Sequence, residues 1–502
     1  MDSFYLLLLL LLLPVLSLWL LKGRNKNAKG LNLPPSPPGL PIIGNLHQVG
    51  TLPYRSTEEL AKKYGPVMLL RLGFAPTVFV TSPEMAKEVL KNQDAQMCNR
   101  VRLEGPRKVS YDFKDIAFTP YGEWWREVRK ISNLELLSPK AVQSYLYVRE
   151  EEIAHLMNSL AEAASTPVDL SEKVFKLTDT MICRIAFGKS YKSRGFDSGR
   201  FAQAVHDAMS AMSNFAASDF FPYFGWIIDR LTGHTATINK VFSNLDSFFD
   251  IAIEDHLDPN RPKPEREDII DVLLRLERDQ FSRIRITKEH IKGVLKDVFL
   301  GAVDTSAITM TWTMTELAKN PKVLNKVQEE IRCYIGSKGK VEESDIENLP
   351  YFRAVVKESW RLHPPVPILI ARETMADCKL EGYDIPNKMR LHVNIFAVNR
   401  DPRYWKNPEE FNPERFMENP LDVKGHSFEF LPFGSGRRIC PGMNMGIANV
   451  ELSLANLLYS FDWQLPKGTT IEDINMEELF PLTLNKKTPL MLVPIPYNWQ
   501  KT

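Results

Sequence analysis

The sequence predicts a mostly α-helical fold with small β-sheets, built as one large domain behind an N-terminal transmembrane helix. Three observations predict it. From about Glu84 to Pro350, apolar residues recur at helical spacing in long stretches, near 147–164, 172–187, 201–215, 235–256 and 287–319. Strand-like patterns are confined to short pieces: Val67–Leu72 and Thr77–Thr81 around a Gly-Phe-Ala-Pro turn, then 366–371 and 390–396. Residues Phe4–Leu21 form an 18-residue apolar run broken only by Pro14 and Ser17. A length of 502 residues gives a prior of about three domains. No internal repeat or domain linker divides the helical stretches, so one catalytic domain over 42–502 is expected.

The elements follow in chain order. As a helix, the apolar run would be roughly 27 Å long, enough for a bilayer's hydrocarbon core when flanking residues reach the interfaces. A cleaved signal peptide has a basic start and a shorter apolar stretch. Here the start carries Asp2, and Lys22, Arg24, Lys26 and Lys29 come directly after the run. Residues 1–21 are therefore expected to be a retained single-pass anchor, with the body on the cytosolic side. Residues 22–41 are a basic, Pro-rich linker with five prolines between Pro34 and Pro41, expected to be a stiff extended spacer. The longest helical stretch starts near Thr287 and stops at Asn320-Pro321, where proline cannot continue a helix. Residues 258–268 form a polar, Pro-rich loop.

Composition narrows the functional classes. The chain is 44% hydrophobic and 25% charged, as in ordinary globular proteins. Lys plus Arg total 63 against 62 Asp plus Glu, so no bulk charge points to a nucleic-acid partner. Five cysteines, at 98, 183, 333, 378 and 440, are too few and too irregularly spaced for a disulfide framework or a paired zinc site. No Gly-x-Gly-x-x-Gly or Walker loop is present, so redox chemistry would draw electrons from a separate protein.

The most informative stretch is Leu431-Pro-Phe-Gly-Ser-Gly-Arg-Arg-Ile-Cys-Pro-Gly442. Its glycines allow tight turns and close approach to a flat ligand. Amides around such a turn can donate to a thiolate on Cys440. Arg438 supplies a fixed cation for a carboxylate, and Phe433 would shield the sulfur from water. A structural cysteine in a Gly-rich turn is the plainer reading, and the loop's other residues argue against it.

This loop resembles the haem-binding loop of the cytochrome P-450 superfamily, the haem-thiolate monooxygenases. The resemblance implies that Cys440 is the axial ligand of haem b, whose thiolate favours cleavage of the O–O bond. Lys357-Glu-Ser-Trp-Arg361 resembles the family's Glu-x-x-Arg helix, and Phe411-Asn-Pro-Glu-Arg-Phe416 its Pro-Glu-Arg-Phe segment. Together they imply a buried Glu358–Arg361–Arg415 network that supports the haem loop. Gly122-Glu-Trp-Trp-Arg-Glu-Val-Arg129 resembles the Trp-x-x-x-Arg helix, so Trp125 and Arg129 would reach a haem propionate. Arg372 stands where the family often has another propionate donor.

In the 287–319 helix, Gly301-Ala-Val-Asp-Thr-Ser306 resembles the family's oxygen-activation motif, with Ala302 where glycine is usual. A helical threonine usually back-bonds to a carbonyl. The resemblance implies more: Thr305 positions water at the oxygen, and Asp304 connects it to bulk solvent.

The match covers essentially the whole chain, and its wording resembles plant microsomal members of specialised metabolism. It implies an endoplasmic-reticulum enzyme fed with NADPH electrons by a membrane-bound cytochrome P-450 reductase, with Arg126, Lys130 and Arg437 as candidate docking residues. The substrate would be a hydrophobic terpenoid, alkaloid, phenylpropanoid or indole/oxime derivative, with O2 as co-substrate. Pocket-lining stretches 101–120, 207–226, 366–370 and 480–484 supply Phe215, Phe220, Phe221, Val366, Ile368, Ile370 and Phe480, with Gly301 opposite. Two alternatives stay open. One is a dehydratase, isomerase or coupling enzyme on the same haem-thiolate fold; the other is a catalytically silent haem sensor or scaffold.

Overall fold

The computed structural model describes residues 30–188, 198–213, 215–262, 264–279, 284–480 and 482–499. The expected anchor at 1–21 lies outside the described residues. Among the described residues, no helix is long and apolar enough to cross a membrane.

A five-stranded sheet joins distant parts of the chain. It is built from β1 (Val67–Leu72), β2 (Ala75–Val80), β3 (Asn99–Arg100), β4 (Arg372–Glu373) and β5 (Arg390–Val393), in the order β1-β2-β5-β4-β3. β1 and β2 form an antiparallel hairpin that pairs Leu72 with Ala75, so the turn is only Gly73-Phe74 and the expected Gly-Phe-Ala-Pro turn is shorter by two residues. Pro76 is tolerated because the ladder to β5 begins one residue later, at Thr77. The expected strand at 366–371 reduces to one bridge, Ile368 to Asn394, because prolines at 364, 365 and 367 remove ladder donors; regular pairing starts at Arg372. The strand expected over 390–396 ends at Val393. There the Asn394 side chain accepts from the Ala397 amide and starts a short helix, Ile395–Val398.

The helical body contains α1 (Glu123–Ile131), α2 (Leu146–Glu162), α3 (Leu170–Phe187), α4 (Ser198–Ser213), α5 (His234–Leu257), α6 (Lys288–Lys319), α7 (Pro321–Ile335), α8 (Pro350–Leu362) and α9 (Met443–Ser460). Of these, α2 to α6 match the five helical stretches read from the sequence to within a few residues at each end. α6 has 32 residues and runs roughly 48 Å. From Ser306 to Ala318 it is buried on every side, which marks it as the central helix. It packs against α3, α8 and α9, and α4 packs along α5 above it in the chain order.

The Pro-rich segment is not a free spacer. Leu69 donates its amide to the Pro35 carbonyl, and Asn45 donates its side-chain amide to Pro37, so the segment lies along the edge of β1.

Candidate active site

The Cys440 loop is fixed from several sides. Gly434 and Gly436 have φ of +70° and +73°, the left-handed region that favours glycine. A Cβ at Gly436 would stand 2.1 Å from the Leu90 carbonyl, so no other residue fits there. The Cys440 amide donates to the Phe433 carbonyl at 3.0 Å. Burial pushes the Cys440 thiol up, while the Gly442 amide and the Arg129 guanidinium pull it back toward thiolate. Phe433 packs edge-on against Trp360, with ring centres 5.3 Å apart.

Asp94 organises the other flank of the loop. Its carboxylate accepts from Arg372 at 2.6 Å and from the Arg437 backbone amide at 2.9 Å and side chain at 3.1 Å. Arg372 also donates to the Ser435 carbonyl at 3.3 Å. Arg372 therefore braces the loop through Asp94, and Arg437, a candidate docking residue, is partly committed to the same acid. Arg126 and Lys130 are exposed on α1, Arg126 lying 5.7 Å over the Tyr121 ring.

Three more arginines converge here with little carboxylate to balance them. Arg438 donates to the carbonyls of Cys98 at 2.9 Å and Thr119 at 2.8 Å, and its guanidinium lies 4.2 Å from the Trp125 ring centre. Burial lowers its pKa to about 9, with Arg372 and Arg129 adding repulsion. Arg100 donates to Ala117 and Ile370 at 2.8 Å each, and is pushed well down by burial and by Arg438 and Arg372. Among the described residues the Arg129 guanidinium has no hydrogen-bond partner, and burial lowers its pKa as well. The Trp125 indole donates to the Ile116 carbonyl at 3.2 Å. The sequence reading singled out Trp125, Arg129 and Arg438 and missed Arg100 and Asp94.

On α6, a Cβ at Gly301 would meet nothing within 4 Å, so this turn of the helix borders open space. Thr305 donates to the Gly301 carbonyl at 2.6 Å, the ordinary helical back-bond. With its donor so committed, the Thr305 oxygen is an acceptor. The Asp304 carboxyl accepts from the Thr483 hydroxyl, which in turn accepts from the Asn485 side-chain amide at 3.1 Å, and burial raises the Asp304 pKa. The expected open link from Asp304 to bulk solvent is thus capped in this structure by Thr483, a residue the sequence reading placed only within a pocket-lining stretch.

The structure brings Glu358, Arg361 and Arg415 together, the first two fully buried. Arg361 grips Glu358 through both carboxylate oxygens, at 2.7 and 2.8 Å, and Arg415 reaches the same acid at 3.0 Å. Of the pocket candidates, Phe220 and Ile368 meet in one apolar cluster against β1 and β2, and Ile368 and Phe480 meet beside Tyr54. Phe215 stacks on Phe220 at 5.0 Å but is itself exposed, while Phe221 is buried against Phe74. Val366 and Ile370 are half-buried beside the sheet.

A family model described as Cytochrome P450 matches residues 34–493. The chain belongs to the cytochrome P450 family. Among its relatives, Cytochrome P450 71B19 of Arabidopsis thaliana is 51% identical over 472 residues, covering 92% of this chain and 94% of that one. A 2-methylbutanal oxime monooxygenase of Manihot esculenta is 46% identical over 491 residues, covering 97% and 96%. A zebrafish cytochrome P450 solved with abiraterone shares the fold at a TM-score of 0.75, with 24% identity, over 89% of this chain and all of that one. This chain is thus a plant P450 monooxygenase, and the family's cofactor is haem.

The residues present suit that group. A half-buried thiol with the Gly442 amide and the Arg129 guanidinium beside it offers an iron ligand. Buried Arg100 and half-buried Arg129 and Arg438 gather positive charge with no ion pair of their own among the described residues, which two haem propionates would neutralise. The open side of Gly301 leaves room for a flat ligand's face.

Proposed function

We propose that this P450 is a membrane-anchored monooxygenase that inserts one oxygen atom of O2 into a hydrophobic plant specialised metabolite, with electrons from NADPH delivered by a separate membrane-bound reductase. The anchor would be residues 1–21, the membrane that of the endoplasmic reticulum, and the catalytic domain 42–502 would face the cytosol. The observation that carries the reading is the Cys440 loop, turned by Gly434 and Gly436 and closed by the Cys440 amide on the Phe433 carbonyl, with the Arg129 guanidinium near the thiol.

Cys440 would ligate the haem iron, and Arg129 and Arg438 would hold the propionates, with Trp125 as the surface on which Arg438 lies. The haem supplies oxygen activation when bound. Phe433, held by Trp360, keeps water from the sulfur. Thr305, whose hydroxyl proton is committed to Gly301, accepts a hydrogen bond from a water in the groove. Asp304, raised by burial, holds a proton more readily than an exposed acid and passes it on when Thr483 releases it. Arg126, Lys130 and Arg437 form the basic edge on which an acidic reductase surface would dock.

The apolar walls suit a substrate held by shape. A terpenoid, alkaloid, phenylpropanoid or indole derivative fits that description. An aliphatic oxime is the first candidate, since one 46% identical relative acts on one. The test is a screen for metabolites that shift the haem spectrum, followed by turnover under 18O2 with NADPH and reductase. One labelled oxygen per product, no product without reductase, and at least tenfold more peroxide release per product in Thr305→Ala are expected. Product formed from peroxide alone, or unlabelled product, would instead favour the isomerase or dehydratase reading.

A further inference from the structure

The segment 111–119, between β3 and α1, is gripped by one face of α6. Tyr111, Asp112 and Phe113 all have φ between 54° and 64°, three consecutive left-handed residues with none of them glycine. Such a run is unfavourable alone and persists only where its surroundings impose it. The surroundings are on α6 and α5. Lys292 bridges Asp246 and Asp250 at 2.7 Å each, and the Tyr111 hydroxyl donates to the same Asp246 at 2.9 Å. A Cβ at Gly293 would stand 2.8 Å from the Lys114 carbonyl, so only glycine lets the segment approach the helix this closely.

One turn further on, the grip is ionic and largely buried. Lys296, with no exposed side-chain area, donates to Asp115 and to Asp297 at 2.6 Å each. The other oxygen of Asp297 accepts from the amides of Ile116 at 2.6 Å and Ala117 at 2.9 Å. Asp115 in turn accepts from the Phe118 amide at 3.0 Å and from the Thr119 hydroxyl at 3.1 Å. The amide side of residues 116–118 is therefore tied to acids held by Lys296.

The carbonyl side of the same residues faces the arginine cluster. Ile116 accepts from Trp125 at 3.2 Å and from Arg438 at 3.4 Å, Ala117 from Arg100 at 2.8 Å, and Thr119 from Arg438 at 2.8 Å. The Ala117 and Phe118 amides share peptide planes with the Ile116 and Ala117 carbonyls, so tying those amides to Asp297 and Asp115 orients these two carbonyls.

We propose that Lys296 and Asp297 are positioning residues for haem retention: through Asp115 and the 116–118 backbone they orient the Ile116 and Ala117 carbonyls that hold Arg438 and Arg100 toward the propionates, with the Trp125 indole fixed on the same Ile116 carbonyl as the surface on which Arg438 lies. This rests on the reading that those arginines meet haem, and the test separates the two.

The measurement is the rate at which purified holoprotein loses haem to excess apomyoglobin. Asp297→Ala is the informative variant, because it leaves Lys296 and Asp115 as a balanced pair while removing the acceptor of the two amides. Asp297→Ala and Arg438→Ala are both expected to speed haem loss at least tenfold. Asp297→Asn, which still offers a carbonyl oxygen to both amides, is expected to recover most of the difference. Glu343→Gln, which breaks the distant Arg149–Glu343 pair, controls for general loosening and is expected to leave the rate within twofold. If Arg438→Ala speeds loss and Asp297→Ala does not, the positioning role is wrong. If Arg438→Ala leaves the rate within twofold, the arginine–haem reading fails and takes the proposal with it. If Glu343→Gln speeds loss as much as Asp297→Ala, the effect is general stability and the proposal falls. Should Asp297→Ala yield no folded protein, the same thresholds apply to Asp297→Ser.

Discussion

A carboxyl buried beside no cation makes stability depend on pH. Asp179 on α3 is 6% exposed, with the Cys183 thiol as its hydrogen-bond partner, and burial raises its pKa to about 6. The folded state then binds this proton more tightly than the unfolded state does. Its contribution is neutral below the ordinary carboxyl range and opposes folding increasingly as pH rises, reaching its full size above pH 6. A shift of two units bounds the effect at about 3 kcal/mol. Asp179→Asn is expected to raise the thermal midpoint at pH 8 and leave it almost unchanged at pH 4; an equal rise at both would show that ionisation is not the cause. Legibility also divides at this scale. Glu358 and Arg361 are three residues apart on one helix, so their pairing could be read from spacing. Asp94 and Arg437 are 343 residues apart, and Asp304 and Thr483 are 179 apart. Such contacts exist only after folding, and nothing local marks them.

At the scale of elements, spacing and proline placed α6 correctly, because a 32-residue helix with a proline stop is a strong periodic signal. The 366–371 strand failed for the opposite reason: Pro367 within it and Pro364 and Pro365 just before it remove ladder donors, and its apolar residues serve packing instead. Two glycines in these elements lead to opposite expectations. Gly301 lies on a helix with open space beside it, so Gly301→Ala is expected to stabilise α6 by about 0.5–1 kcal/mol and raise the denaturation midpoint slightly. Gly436 combines a left-handed φ with a backbone carbonyl where its Cβ would go. Gly436→Ala is expected to displace the loop and abolish the thiolate-type ferrous carbonyl band. A normal band in Gly436→Ala would show that the loop adapts and that the steric argument is wrong.

Across the whole molecule, one buried charge joins the helical body to the Cys440 loop. Arg361 and Glu358 have no exposed side-chain area, and Arg361 also donates to the carbonyls of Asn399, Pro408 and Glu410, tying α8 to the turns that follow β5 and its short helix. Its guanidinium lies 5.1 Å from the Trp405 ring centre, and the Trp405 indole donates to the Glu429 carbonyl at 3.2 Å. Trp405 and Phe416 both pack on Phe430, and Leu431 follows to open the loop. Among the described residues, no hydrogen bond of Glu358, Arg361 or Arg415 reaches Gly301, Asp304 or Thr305. Removing one partner of a buried ion pair strands the other's charge and costs about 3–5 kcal/mol. Glu358→Gln is therefore expected to lower the thermal midpoint and the fraction of protein carrying haem, while turnover per haem in the surviving holoprotein stays within twofold of the parent. Intact haem content with a tenfold loss of turnover would place the network in the chemistry and not in the fold. The alternative is disfavoured by geometry, since every donor on Arg361 is already spent on Glu358 or on backbone carbonyls, leaving it no proton to offer a reacting group.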